Sequence, residues 1–301
     1  MLGDHIHIAP PYRDTLSACG LDRVESVLDW IDGDVVAWSR TTDTLRIACP
    51  RGGPGFFLKR YYYPTWRHRL RGTFRGTFFN RHRAHAEFTL LDTMRQLGIP
   101  AVRPICYGAR RVGRFVAASF LITEEVPGAQ NLTTFAADVR AGRRELRPAV
   151  RRAMVRELAA RVAQMHNVGF SHGQLYWRNI LFRFGAAGDP EFFFLDARPR
   201  RGRRWFARRS ERYLYELGHA AASAIPFVSR ADRLLFLKAY MRQRRLETDL
   251  RPIVTLVDRL AQRWARHERQ RIRMNERFEA WSRQLRRERE LDSTTVLGTG
   301  P

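Results

Sequence analysis

Lysine is almost missing from this 301-residue chain: of its 54 Lys and Arg residues, only Lys59 and Lys238 are lysine. Cysteine is scarce as well. Cys19, Cys49 and Cys106 are odd in number and far apart, so they build neither a disulfide framework nor a metal-binding spacing. A reducing compartment is therefore expected. Long apolar runs are missing too. The longest, around residues 115–122 and 217–228, fall well short of the roughly 20 residues that a membrane helix needs. The opening MLGDHIHIAPPYRD has no basic stretch ahead of an apolar core and does not read as a signal peptide. These absences predict a cytoplasmic protein, with peripheral contact at the inner membrane face left open.

Positive charge, by contrast, is abundant. Against 54 basic residues stand 30 acids, a formal net charge of +24. A 44% hydrophobic and 12% aromatic content supplies a core and excludes a disordered chain. The charge excess predicts a polyanionic neighbour: nucleic acid, anionic lipid or a phosphorylated substrate. The preference for Arg has a plainer source, because a GC-rich coding sequence places Arg wherever any cation suffices. Under that reading the two remaining lysines mark places where a compact point charge is wanted in place of a planar fork.

Along the chain, VVAW, TLRIAC and FFLKRYYY within residues 35–63 predict three antiparallel strands, with Lys59 in the third. The stretch 64–83 reads as a loop or broken helix rich in Arg and aromatics. A helix is expected from Ala84 to Leu97, stopped by Gly98-Ile99-Pro100, then strands near Val102–Tyr107 and Phe115–Glu125. Pro127-Gly128 ends this part. Beyond it, Asn131 should cap one helix and Pro148 should open a long one whose Met154, Leu158, Val162 and Met165 share a face. GFSHGQLYWRNILFRF reads as strand–turn–strand, followed by the strand FFFLD. Residues 211–246 and 253–290 read as helical. In the second of these, Ile253, Val257, Leu260 and Trp264 recur at helical spacing, as do Met274, Phe278, Trp281 and Leu285, and the charges are expected on a solvated face. The expected organisation is an N-terminal extension (1–34), a small lobe (35–126), a mainly helical lobe (127–250), a basic helix (251–290) and a disordered tail (291–301).

Four features fall in a telling order: Lys59 on a strand after a turn, Glu87 early in a helix, His172-Gly173-Gln174 with Asn179 in HGQLYWRNILF, and Asp196 ending FFFLD. A phosphotransferase on the kinase plan needs these parts in this order. A strand Lys holds nucleotide phosphates, a helix Glu fixes that Lys, and an Asn and an Asp coordinate Mg²⁺ through oxygen. Each alone is commonplace, and the H-G-x-L-x-x-x-N-I-L block is the specific one. The fold class that follows is α+β: a bilobal, protein-kinase-like fold with a small antiparallel-sheet N-lobe and a mainly helical C-lobe.

With these residues in view, the chain resembles the lipopolysaccharide kinase (Kdo/WaaP) family over roughly residues 35–245. The resemblance rests on the R-x-T-x-x-T-L-R passage from Arg40 to Arg46, FFLKRY, RAHAEFTLLDTMRQLGIPAVRP, ITEEVPGAQNL, HGQLYWRNILF, LDARPRR and SRADRLLFLKAY. Aminoglycoside and choline phosphotransferases share the H-G-x-L-x-x-x-N block. Tyr176, where those kinases usually carry His, and the Arg-rich passages favour the lipopolysaccharide group. The resemblance implies ATP, Mg²⁺ and a sugar hydroxyl of lipopolysaccharide core or a related glycolipid as acceptor. It implies Lys59 at the phosphates, Glu87 positioning it, Asn179 and Asp196 on metal, the backbone near Glu124 and Val126 at adenine, and His172 as a brace.

Two departures stand out. SRTTD, between the first two strands, has no glycine with which to wrap phosphates closely. More serious, Gln174 stands where such kinases carry the catalytic Asp, and an amide cannot act as a general base at neutral pH. Two readings follow, a slow or unusual kinase and a pseudokinase that binds nucleotide or a partner without turnover. Among the Arg clusters, 198–212 follows directly on Asp196. Arg198, Arg200, Arg201, Arg203 and Arg204 are the candidates there for binding a phosphorylated or carboxylated sugar of an anionic glycolipid. The Arg and aromatics of 59–83 suit an anionic membrane interface or single-stranded nucleic acid. Nucleic-acid binding is the competing function class, disfavoured because no recognisable motif for it appears.

Overall fold

The computed structural model describes residues 3–39, 41–49, 52–63, 82–113, 115–198, 209–246 and 249–297. Its first half is built on one six-stranded antiparallel sheet. The strands are β1 (His5–Ile8), β2 (Asp34–Ser39), β3 (Thr42–Ile47), β4 (Phe56–Tyr62), β5 (Pro104–Val112) and β6 (Phe115–Glu124), in the order β1-β5-β6-β4-β3-β2. The expected meander forms as β2–β4. The alternation of β4 decides what each side of the sheet carries. Leu58 enters a core with Leu45, Phe120 and Ile122, whereas Tyr61 belongs to the core on the opposite face. Lys59 shares the Tyr61 side and is paired in register with Thr44 and Leu121.

Residues 1–34 are not an extension in the sense expected. β1 adds the sixth strand by pairing His5–Ile8 with Cys106–Ala109. Helices α1 (Arg13–Ala18) and α2 (Val24–Leu28) cover the outer face of the sheet with Leu16, Leu21, Val27 and Leu28. Buried Arg60 ties them down. Its guanidinium donates to Asp43 at 2.9 and 2.8 Å and to the carbonyls of Leu28 and Trp30. A sheet face that would otherwise expose Leu58, Phe120 and Ile122 to water requires such a cover.

Helix α3 (Arg83–Gln96) lies on the other face and buries Leu91 and Met94. The second half holds α4 (Leu132–Arg140), α5 (Pro148–Asn167), α6 (Arg209–Ala224), α7 (Arg230–Gln243) and α8 (Leu250–Leu297). Its small sheet comprises β7 (Gln130–Asn131), β8 (Ile180–Phe184) and β9 (Pro190–Phe194). Asn131 caps α4 as expected, accepting from Thr133 N at 2.8 Å. The long helix opened by Pro148 buries Met154, Leu158, Val162 and Met165. Residues 211–246 form two helices and not one. Pro226 cannot supply a helical N–H, and Ser229 and Asp232 begin α7 with a capping box. The segment before Trp177 is not a strand; a 3₁₀ turn, Trp177–Asn179, leads straight into β8. The two halves join where Val102 N donates to Phe194 O and Phe194 N to Pro100 O.

Helix α8 packs its 257–265 stripe on α6 closely enough that a Cβ at Gly218 would lie 2.7 Å from Leu260 Cβ. Met274, the first residue of the second apolar stripe, is 69% exposed, and the side chains of Phe278, Trp281 and Leu285 lie outside the described residues. The backbone stays helical to Leu297, past the expected end at 290, because extending a formed helix costs far less than starting one. Among the described residues no helix is long and apolar enough to cross a membrane.

Candidate active site

Three of the residues singled out in the sequence meet in one ion cluster. Lys59 Nζ lies 2.9 and 3.1 Å from the two Glu87 oxygens and 3.0 Å from Asp196 Oδ1. The β4 pleat aims Lys59 toward α3. Glu87 sits on the same α3 face as Leu91 and Met94, and the β8–β9 hairpin delivers Asp196 just past its end. Tyr61, two residues along β4 from Lys59, donates its hydroxyl to Glu87 Oε2. Burial alone would lower the Lys59 pKa, but the Asp196 and Glu87 charges outweigh it and raise it well above the ordinary value. For Asp196 the balance runs the opposite way. Burial favours the neutral acid, yet Lys59 and Arg198 hold the carboxyl well below the usual range, so it is ionised. Asp196 also adopts φ +55°, a left-handed conformation uncommon outside glycine and found at functional turns.

Asn179 arrives at the same end of the hairpin. Ile180 pairs with Phe194, and Leu195 N donates to Asn179 O at 3.1 Å. Its amide Nδ2 donates to Gln174 O at 2.9 Å, which leaves Oδ1 as the acceptor end of the same amide. Asn179 Oδ1 and the Asp196 carboxylate are hard oxygen donors, the set Mg²⁺ takes when substrate phosphates complete its shell. Among the described residues no cluster of three or more His, Cys, Asp or Glu could hold a metal by itself.

The loop carrying Gln174 is held from beneath by Glu216 of α6, which sequence reasoning missed. One Glu216 oxygen accepts from Ser171 Oγ and Gly173 N, each at 2.5 Å; the other accepts from His172 N and His166 Nε2, each at 3.1 Å. Burial pushes the Glu216 pKa up, but these donors and the imidazoles bring it down to about 2. Gly173 at φ +76° has no room for a side chain, because a Cβ would lie 2.2 Å from Arg198 O. His172 is fully buried, and its Nδ1 accepts from Gln174 N at 3.3 Å. Burial lowers its pKa, so it is a neutral brace.

The Glu124 carboxylate is taken up by Tyr12 Oη at 2.9 Å and Arg103 at 3.4 Å, and Glu125 N donates to Gly55 O at 2.8 Å. The Glu124 side chain and the Glu125 amide are thus engaged within the protein. Arg198 contacts both Asp196 oxygens at 3.4 Å, and its side chain stays 46% exposed. Arg200, Arg201, Arg203 and Arg204 lie outside the described residues, as does most of the Arg-aromatic stretch, residues 64–81.

The model of the lipopolysaccharide kinase (Kdo/WaaP) family matches residues 33–240. The chain belongs to that family. Among its relatives, 3-deoxy-D-manno-octulosonic acid kinase of Vibrio vulnificus is 27% identical over 177 residues, covering 54% of this chain and 71% of that protein. The lipopolysaccharide core heptose(I) kinase WaaP of Pseudomonas aeruginosa is 26% identical over 172 residues, 53% and 60% of the two chains. The solved structure of WaaP in complex with acyl carrier protein superposes with a TM-score of 0.58 at 23% identity, covering 86% of this chain and 98% of that one. The bilobal kinase-like fold is thereby shown.

Proposed function

We propose that the protein is an ATP- and Mg²⁺-dependent kinase that phosphorylates a sugar hydroxyl of lipopolysaccharide core or a related glycolipid, and that Gln174 makes it slow. The observation that carries this reading is the Lys59–Glu87–Asp196 cluster at 2.9–3.1 Å, a preorganised cation beside an ionised metal ligand. On nucleotide binding, Lys59 would exchange Asp196 for phosphate oxygens while Glu87 and Tyr61 keep it in place. Asn179 and Asp196 would hold Mg²⁺, which supplies charge neutralisation of the transferring phosphoryl group. The Glu124 carbonyl and Val126 amide would read adenine. Gln174 can orient an acceptor hydroxyl by hydrogen bonding but cannot take its proton; a general base typically contributes about 10²–10⁴-fold in rate.

Gln174 is also the observation that favours a second reading, a nucleotide-binding pseudokinase. Transfer of label from ATP to a lipopolysaccharide-core acceptor separates the two. Slow labelling by the wild type, faster in Gln174→Asp and lost in Lys59→Ala, is the kinase outcome. No labelling by either wild type or Gln174→Asp refutes the kinase. Mg²⁺-dependent thermal stabilisation by ATP in that case leaves the pseudokinase.

The acceptor's lipid anchor calls for a surface that meets a membrane. Arg259, Arg263, Arg266, Arg273 and Arg277 of α8 are exposed and recur at spacings of four, three, seven and four, on the side opposite buried Val257, Leu260, Ala261 and Ala265. This stripe suits the anionic inner face of a bilayer.

A further inference from the structure

Beyond the region matched by the family model, α8 sends one carboxylate into the C-terminal lobe. Glu268 is 2% exposed, on a helix whose other described charges are mostly in water. Its Oε2 accepts from Arg178 Nη1, and its Oε1 shares the Ser223 hydroxyl with His219 O, each 3.3 Å from Ser223 Oγ. Ser223 Oγ in turn accepts from Trp177 N at 3.2 Å. The Arg178 guanidinium lies 4.0 Å over the Tyr176 ring, and Tyr176 stacks on His219 at 4.6 Å. His219 meets Trp264, one turn before Glu268, at 5.2 Å. From the opposite side, Asn131 Nδ2 donates to Arg178 O at 2.5 Å.

These contacts converge on the turn 176–179, whose last residue is Asn179. Nothing in the packing of α8 requires a charge at 268, since Val257, Leu260, Ala261 and Ala265 already seat the helix by apolar contact. A carboxylate there costs desolvation and is useful only for what it holds. What it holds is the residue before Asn179 and, through Ser223, the amide of the one before that.

We propose that Glu268 is a positioning residue: through Arg178 and Ser223 it locks the 177–179 turn so that Asn179 Oδ1 faces the metal–nucleotide site. The role of Asn179 rests on the kinase-site reading above, whereas the lock itself does not. Glu268 touches neither nucleotide nor metal and acts only through the loop.

The test uses the full chain and compares wild type, Glu268→Gln and, as a control for lost packing on the same helix, Leu260→Ala. Amide hydrogen exchange is followed at Trp177, Arg178 and Asn179, and a fluorescent ADP analogue is titrated at several Mg²⁺ concentrations and in EDTA. Glu268→Gln should speed exchange at the three amides by at least about tenfold, the loss of one charge-assisted bond. It should raise the Mg²⁺ concentration for half-maximal binding by a similar factor and leave binding in EDTA unchanged. Leu260→Ala should lower the melting temperature and move neither readout. Wild-type exchange in Glu268→Gln, or an equal change of both readouts in Leu260→Ala, overturns the proposal. If the wild type binds no nucleotide at any Mg²⁺ concentration, the kinase-site reading falls. The exchange arm then still decides the lock: faster exchange in Glu268→Gln sustains it and unchanged exchange overturns it.

Discussion

Glu216→Gln is the substitution with the sharpest expected effect on stability. The two side chains have the same shape, so packing is preserved and only chemistry changes. All four groups facing Glu216 are donors: Ser171 Oγ–H, Gly173 N–H, His172 N–H and His166 Nε2–H. An amide oxygen can serve one pair, but its NH₂ must then face the other. Glu216 is 1% exposed, so water cannot repair the mismatch. The magnitude follows from the carboxyl's own titration. Folding lowers its pKa from 4.5 to about 2, and at 1.36 kcal/mol per unit the ionised form contributes about 3 kcal/mol at neutral pH. A folded pKa below the unfolded one means that this contribution is complete above pH 4.5 and fades as pH falls toward 2. Urea unfolding at pH 7 should therefore show Glu216→Gln less stable by about 3 kcal/mol, with the difference shrinking below pH 4.5. A loss under about 0.5 kcal/mol at pH 7, or one that does not shrink in acid, would refute the claim that this charge holds the loop.

Gly173→Ala must fit a Cβ 2.2 Å from Arg198 O at φ +76°; it should cost about 3 kcal/mol in urea unfolding, and wild-type stability would show that the loop is free to move. His82 caps α3 by accepting from His85 N at 3.3 Å and faces His5 Nε2 at 3.2 Å, and burial first, then His5 and His85, lower its pKa to about 3. Its neutral form therefore contributes stability above pH 6.5 that is lost as pH falls toward 3, about 2 kcal/mol by pH 5; His82→Asn, which keeps a cap, should flatten that decline, and an unaltered pH profile would exclude the effect. Changing Arg259, Arg263, Arg266, Arg273 and Arg277 to Gln should cut sedimentation with anionic vesicles at least about 100-fold, at roughly 1 kcal/mol per Arg, without affecting neutral vesicles; unchanged pelleting would remove the membrane role of α8.

What could be read from the sequence was whatever announces itself by local pattern. β4 showed itself by a short aromatic-rich run after a glycine turn, and that placed Lys59. Helix α3 showed its stop at Gly98-Ile99-Pro100, and that placed Glu87 on it. β1 could not be read because HIHI is four residues of mixed character, and only its pairing with Cys106–Ala109 makes it a strand. Glu216 and Glu268 were hidden for another reason. A helical acid is nearly always solvated, and their partners lie 43–50 and 45–90 residues away in sequence. The trace each leaves is its position on an apolar helix face, Glu216 beside Leu217 and one turn from Tyr213 and Ala220, Glu268 one turn past Trp264 and Ala265.

Among the described residues four acids are buried; Asp232 caps α7, and the other three bear on Gln174. Glu87 fixes Lys59, Glu216 holds the backbone at 171–173, and Glu268 holds the turn before Asn179. Each is a charge removed from water, and each acts on the geometry of the same cleft. In a chain with a net charge of +24, an acid kept in the interior is supported only where its donors are arranged around it. A loop with no role could be held by apolar contact alone. The carboxylate replaced at position 174 is the one whose task would be to take a proton, whereas those whose task is to hold shape are present. That division argues for a cleft still shaped to bind nucleotide, and it confines the effect of Gln174 to the transfer step.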